Sequence, residues 1–411
     1  MDTNAKIEKR PRPLEGVRIV ECGIWHAGPG GCAILADLGA EVIKVESLDG
    51  DPERTHGALG TVKFNGCDKE DWSLLYEVSN RNKKGICLDI ASEKGKEVLA
   101  RLVKTADVFL TSMRKTTIPK LGIDYESLKK INPNLVYISI SGFGSKGPMA
   151  DVGGFDPMGQ AISGMALIIG QDSPIVLQLL ILDQLTAITV SHAIITALFV
   201  RERHGYGQEL HVSLYGSATW LLHFNLLTTS VMKTNLKLDW DRTMNPPLRN
   251  SYKCKDGKWL MATNHPEHKY LPIACRVLGL DNLLNDPRFA TPEARAENAR
   301  DLIAILDEMM LQKNRDEWLT ILQREGLNFV PVQQFDEVLK DPQALVNGYV
   351  VNVDHPVMGK IAMPGFPIQF SANETCTEPA PERGQHTDAV LDELGYGAAE
   401  IASFKQMGIA K

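Results

Sequence analysis

Short apolar runs alternate with amphipathic stretches along the first half of the chain. Val17 to Cys22 reads as a strand, followed by a Gly/Pro-rich turn, His26-Ala27-Gly28-Pro29-Gly30-Gly31. Cys32 to Leu38 has a helical pattern and stops at Gly39, a residue suited to ending a helix. Glu41 to Glu46 returns as a strand. The cycle repeats with a strand at Gly85 to Asp89, a helix at Ser92 to Thr105 and a strand at Asp107 to Thr111. A helix at Tyr125 to Ile131 and a strand at Leu135 to Ser141 follow. This alternation predicts an α/β fold, a mainly parallel sheet with helices on both faces and right-handed crossovers. The most apolar stretch, Ile175 to Val200, is interrupted by Asp183, Gln184 and His192. It reads as a buried strand or loop followed by a core helix, not a membrane span.

The pattern changes near residue 220. Met232 to Ser251 is a mixed polar stretch, and Lys253 to Met261 reads as a β-hairpin around Asp256-Gly257. Helices follow at Glu267 to Leu278, Glu293 to Leu311 and Arg315 to Glu325, with short strands after Pro331 and a last helix at Thr387 to Leu394. The expected organisation is a large α/β domain over 1–220, a smaller α+β domain over 221–330, and a return to the large domain over 331–411.

Composition narrows the function classes. The net charge of −7 argues against a nucleic-acid partner, although local basic clusters still suit a phosphate. The seven cysteines, Cys22, Cys32, Cys67, Cys87, Cys254, Cys275 and Cys376, are dispersed without a CxxC, which fits reduced thiols in a cytoplasmic protein and no zinc site. Met1 to Pro13 lacks an apolar core, so no signal peptide is expected.

Gly28, Gly30 and Ala33 satisfy G-x-G-x-x-[GA] between a strand and a helix, and Glu46 ends the next strand. That arrangement suits a dinucleotide, with Glu46 on the ribose. It equally suits glycines that only make the turn.

Several stretches, in order, resemble the class III (CaiB/BaiF-type) CoA-transferases. They are Pro13 to Glu21, Ala27-Gly28-Pro29, Leu35 to Glu46, Asn80 to Lys84, Asn132 to Tyr137, Ser139 to Gly144, Gly147-Pro148 and Gly154-Phe155-Asp156. Asp183, Arg201 to Arg203, Gly205 to Gln208 and Val212 to Leu214 continue the likeness. It runs from about residue 13 to about 370. The resemblance implies a Rossmann-like large domain that binds coenzyme A as substrate rather than NAD, and two interlocked subunits. A homodimer or a heteromer with a related chain is expected, and in a heteromer this chain is either the active or a non-catalytic subunit.

It also implies that Asp183 is the nucleophile. A carboxylate ionised at neutral pH attacks an acyl-CoA thioester without a general base. A mixed anhydride and an aspartyl-CoA thioester follow, and backbone N–H groups near Gly28 to Gly31 are candidate oxyanion donors. From the residues alone, Asp183 is as readily an N-cap of the helix that follows. Related α-methylacyl-CoA racemases carry a histidine where this chain has Phe155. Phenylalanine cannot serve as the second base of proton exchange, which favours transfer. His192 and His204 read as helix-face and surface residues.

For coenzyme A, the candidates are Arg81, Lys83, Arg114 and Lys115, beside strand ends, with His26 and Ala27 lining the site. Each basic cluster has a solvated surface as its alternative. Ser47 replaces an arginine that some members carry toward the cofactor. Trp25 is expected to shape the acyl pocket, and Arg242 or Arg249 to pair with an acceptor carboxylate. Met244 to Asn250 stands where formyl-CoA transferase has a glycine-rich flap. This points to larger acids, as in the benzylsuccinate and aryl-lactate transferases of anaerobic metabolism.

Overall fold

The computed structural model describes residues 10–56, 58–59, 62–63, 73–170, 173–235 and 241–411, which leaves Cys67 outside the described residues. The chain divides into two compact units, Met1–Leu236 with Asn347–Lys411, and Lys237–Val346.

The first unit is built on six parallel strands. They are β1 (Arg18–Cys22), β2 (Glu41–Glu46), β3 (Lys84–Cys87), β4 (Val108–Thr111), β5 (Val136–Ser141) and β6 (Glu209–Ser213). Their order is β3-β2-β1-β4-β5-β6, with Ile19 opposite both Val42 and Val108. The strand order reverses between β1 and β4, the place where open α/β sheets bind ligands. Successive side chains enter opposite cores. Val20, Ile43, Ile86 and Phe109 pack on one face with α3 (Glu93–Lys104), while Ile19, Val42, Val108 and Ile138 pack on the other. Val390, Leu391 and Phe404 of the C-terminal helices Thr387–Glu393 and Ala398–Gln406 complete the first core.

The first helix starts earlier than its composition suggests. α1 spans Ala27–Asp37, so Gly28, Gly30 and Gly31 lie inside it rather than in a turn. They are there for packing. A Cβ on Gly31 would stand 2.5 Å from Val190 Cγ1, and one on Gly30 would stand 3.1 Å from Ala187 Cβ. Both partners belong to α5 (Ile181–His204), which lies directly on α1. Val190, Ile194 and Ala197 of α5 share a core with Ile19 and Leu35. By length and composition α5 is apolar enough to cross a membrane. Its opposite face exposes Ile188, Ile195 and Phe199.

The second unit holds a three-stranded antiparallel sheet, β7 (Ser251–Lys253), β8 (Trp259–Ala262) and β9 (Phe329–Val332), with β8 central. Helices Glu267–Leu278, Ala299–Met310 and Arg315–Arg324 cover it through Leu271, Leu302 and Trp318. The helix expected over Glu293 to Leu311 is broken at Asn298, whose side chain donates to Ala294 O at 2.8 Å. The expected boundaries at 220 and 330 move to 236 and 346. Helices Leu214–Leu221 and His223–Met232 stay with the first unit, and β9 is hydrogen-bonded to β8 in the second.

Candidate active site

Asp183 sits in the first turn of α5, after Leu180 in a left-handed conformation (φ 50°). It is not the cap of that helix. The cap is borrowed from α4 (Asp156–Ile162): Asp156 Oδ2 accepts the Leu182 and Asp183 N–H groups at 2.7 and 3.1 Å. Asp156 is itself buried and held by Gln160, whose amide also bonds both the N–H and the C=O of Leu177. The Asp183 carboxylate takes no hydrogen bond or ion pair among the described residues. Burial, and then the charge of Asp156, push its pKa up to about 7.

Asp183 opens onto a cavity of about 860 Å³. Its walls come from the C-terminal ends of β1, β4 and β5 and from the start of α4. Trp25, His26, Ala27 and Gly28 follow β1, and Arg114 and Lys115 follow β4. Trp25 adopts φ 62° and lies edge-on to Phe155 at 5.8 Å and to His56 at 5.6 Å, so the three rings form one apolar wall. Phe155 is 54% exposed toward this space. The N–H groups of Ala27 and Gly28, in the first turn of α1, have no intrahelical acceptor and remain available to an oxyanion. Gly30 N–H is used on His26 O at 2.7 Å, which removes it from the expected donors.

The basic residues separate into two groups. Arg114 and Lys115 are exposed at the cavity, Lys115 reaching Ser145 O at 3.3 Å. Lys83 is instead buried, 2.7 Å from Glu21 Oε2 and 2.8 Å from Pro29 O. Glu21 also meets Lys44 at 3.0 Å, and Lys44 meets Asp51 at 2.8 Å. Arg81 forks onto Asp37, with Nε 3.0 Å from Oδ1. These pairs hold the sheet, and neither Arg81 nor Lys83 is offered to a ligand. Glu46, the ribose acid of the dinucleotide reading, is likewise taken by Arg54 at 2.7 Å.

In the second unit, Arg242 is paired with Asp307 at 2.7 Å and Arg249 is exposed, whereas the cavity walls all come from the first unit. His192 and His204 are exposed, His204 against Tyr206. Among the described residues no group of His, Cys, Asp or Glu is placed to hold a metal ion. A second cavity, of about 480 Å³ within 347–377, is lined by no titratable side chain.

Sequence reasoning missed Ser79, which meets His26, Glu53, which meets Ser79, and His56, which stands against Trp25. His26 Nδ1 is 2.7 Å from Ser79 Oγ and Nε2 is 2.6 Å from Gln184 Oε1. Burial pushes the His26 pKa down to about 4. None of the three belongs to a motif, and the nearest signal was the charged Asp51-Pro52-Glu53-Arg54 segment in the loop beyond the strand that ends at Glu46.

The model of CoA-transferase family III matches residues 14–387. The (R)-2-hydroxy-4-methylpentanoate CoA-transferase of Clostridioides difficile is 32% identical, over 97% of this chain and 99% of that protein. The cinnamoyl-CoA:phenyllactate CoA-transferase of Clostridium sporogenes is 30% identical, over 97% and 98%. A crystal structure of a CaiB/BaiF family protein from Brucella suis superposes with a TM-score of 0.83 at 31% identity, covering 94% of this chain and all of that one. This chain therefore belongs to CoA-transferase family III, the class III CoA-transferases, enzymes that act on CoA thioesters.

Proposed function

We propose that the enzyme moves coenzyme A from an acyl-CoA to a free carboxylic acid, with Asp183 as the covalent carrier. The observation that carries this is an unpaired carboxylate at a helix N-terminus, opening on a cavity at the sheet's switch point with two arginine/lysine cations at its rim. Ionised Asp183 attacks the thioester carbonyl, the C–S bond breaks, and CoA leaves as thiolate. The thiolate then attacks the aspartyl carbonyl and expels the donor acid as carboxylate. The acceptor carboxylate attacks this aspartyl-CoA thioester, releasing the thiolate again, which takes the acceptor acyl group from the second anhydride and frees Asp183. Every step exchanges one activated acyl bond for another, so no ATP enters. The Ala27 and Gly28 amides face the developing oxyanions. Arg114 and Lys115 hold CoA phosphates by charge-assisted hydrogen bonds.

The acids transferred are bulky and apolar, aromatic or branched. The Trp25, Phe155 and His56 wall supports this, together with the cavity-lining Ile24, Leu75 and Leu180. The names of the two clostridial relatives point the same way. A subunit partner covers the apolar face of Ile188, Ile195, Phe199, Trp220, Phe224 and Val231, which is too extensive for a typical solvent-facing surface. That partner is a second copy or a related chain, and the assembly works in the cytoplasm.

The test is mass spectrometry after mixing the protein with acyl-CoA and trapping with hydroxylamine. The expected result is modification of the peptide that carries Asp183. Full acyl exchange without any such modification rules the carrier role out.

A further inference from the structure

Glu53 is a fully buried carboxyl that lines the cavity and has no part in the acyl-transfer steps. Its Oε1 is 3.0 Å from Ser79 Oγ, and its Oε2 has no hydrogen-bond partner among the described residues. Ser79 Oγ is 2.7 Å from His26 Nδ1, and His26 Nε2 is 2.6 Å from Gln184 Oε1. A continuous chain therefore runs from Glu53 through Ser79 and His26 to Gln184, the residue after the nucleophile.

The contacts limit where the hydrogens sit, and the one Ser79 hydroxyl hydrogen also has Leu75 O at 3.0 Å as an acceptor. Gln184 Oε1 only accepts, so His26 Nε2 must carry a hydrogen. One further proton is shared along the rest of the chain. Placed on His26, it leaves an imidazolium and a Glu53 carboxylate, two charges in a dry site. Placed on Glu53, it leaves both groups neutral: Glu53 donates to Ser79, Ser79 donates to His26 Nδ1, and His26 Nε2–H donates to Gln184. Desolvation favours the neutral arrangement. Burial, and then Asp51, raise the Glu53 pKa well above its ordinary value, while burial lowers that of His26, both in the same direction. The ring lies against Gly30, where an added Cβ would stand 3.3 Å from Nε2 and crowd it.

We infer that Glu53 is a positioning residue: through Ser79 and a neutral His26 it fixes the Gln184 amide beside Asp183. With Oε1 bound to His26, the Gln184 N–H2 group has no partner among the described residues, and Gln184 as a whole is exposed, next in the chain to the cavity-lining Asp183. It serves as a hydrogen-bond donor to the acyl oxygen during attack by Asp183. The inference rests on the carrier role of Asp183 proposed above.

The test compares wild type, Glu53→Leu, Glu53→Gln and Gln184→Leu by single-turnover acylation of Asp183 and by steady-state kinetics. Losing a preorganised donor predicts that Glu53→Leu and Gln184→Leu each lower the acylation rate and kcat by about 30-fold, with KM for the acyl-CoA little changed. Glu53→Gln keeps an N–H donor toward Ser79 and retains activity within about fivefold of wild type, the worth of one altered hydrogen bond. Combining Glu53→Leu with Gln184→Leu gives no further loss, as expected for groups acting as one unit. Multiplying losses, failure of Glu53→Gln to rescue, or an unchanged rate in Glu53→Leu overturn the inference. Should Glu53→Leu not fold, NMR of isotope-labelled histidine in the wild type still decides. A neutral His26 with its proton on Nε2 between about pH 5 and 8 supports the chain, and an imidazolium overturns it. Wild type that forms no Asp183 adduct counts against the carrier role itself, which separates the two failures.

Discussion

Two polar regions of the large unit, one fully buried and one half-buried at the cavity, are built on opposite terms. Beneath α1, Glu21, Lys44, Lys83 and Asp51 form a lattice in which each charge faces an opposite one at 2.7 to 3.0 Å. Burial pushes the Glu21 carboxyl up, but Lys83 and Lys44 outweigh it and hold it below the ordinary range. At the start of α5, Asp183 has no cation, and its neighbour Asp156 is a like charge whose bonds go to the backbone. The charges of the first region are fully buried and paired, whereas Asp183 is half-buried and raised in pKa. What sets Asp183 apart is the missing cation, which leaves its desolvation unopposed.

The sharpest way to break that contrast is to swap the consequences. Asp183→Asn keeps the shape and removes the nucleophile, so acyl exchange falls by about a thousandfold or more, followed by thioester assay. Because the folded pKa of Asp183 is raised, its contribution to stability is full below the unfolded value and is lost as pH rises through about 7. Asn is free of that cost, and Asp183→Asn melts about 2–4 °C higher than wild type at pH 8. Lys83→Met does the reverse. It strands Glu21 in the interior and lowers stability by about 3–5 kcal/mol in denaturant titration, with little specific effect on kcat in the folded fraction. If Lys83→Met instead weakens CoA binding in a fully stable protein, the lattice is functional after all.

Smaller effects sharpen the picture. Arg114→Ala and Lys115→Ala each raise KM for acyl-CoA by about tenfold, from loss of a charge-assisted phosphate contact, with kcat retained. Arg81→Ala, paired with Asp37, is read out in thermal stability rather than in KM. The kcat/KM profile falls by about one decade per pH unit below 7 and is flat above it, since only ionised Asp183 attacks. A flat profile from about pH 5 to 8 is incompatible with Asp183 as a carboxylate that titrates near neutrality. Trp25→Ala changes the ranking among bulky acyl groups by about threefold to tenfold, one ring's worth of packing.

Strands β1, β2, β4 and β5 were legible almost residue by residue, because they announce themselves by apolar runs between turn residues, whereas β6, half-exposed and mixed in polarity, was not read as a strand. The start of α1 was not. Gly28, Gly30 and Gly31 carry the same signal whether they form a turn or admit another helix, and only Val190 and Ala187, far along the chain, tell which. Asp183 was singled out through the resemblance rather than through its own surroundings. The two basic clusters fall in different surroundings for a plain reason. A lysine near a strand end looks the same whether it meets solvent, as Lys115 does, or a glutamate 62 positions away, as Lys83 does. Ser79 and Glu53 had no motif of their own, and their meaning exists only once His26 is placed between them and Gln184.

The large unit is made from both ends of the chain, and this bears on its birth. Val390, Leu391, Tyr396 and Phe404 fill the core under β3 and β4, Gly85 N–H donates to His386, and Leu88 is bridged to Ala410. A ribosome reading the message in order delivers the sheet first, then the whole second unit, and only after it the side chains that seal the sheet. Until those later residues leave the exit tunnel, the scaffold around Asp183 waits with one flank open to water and to chaperones.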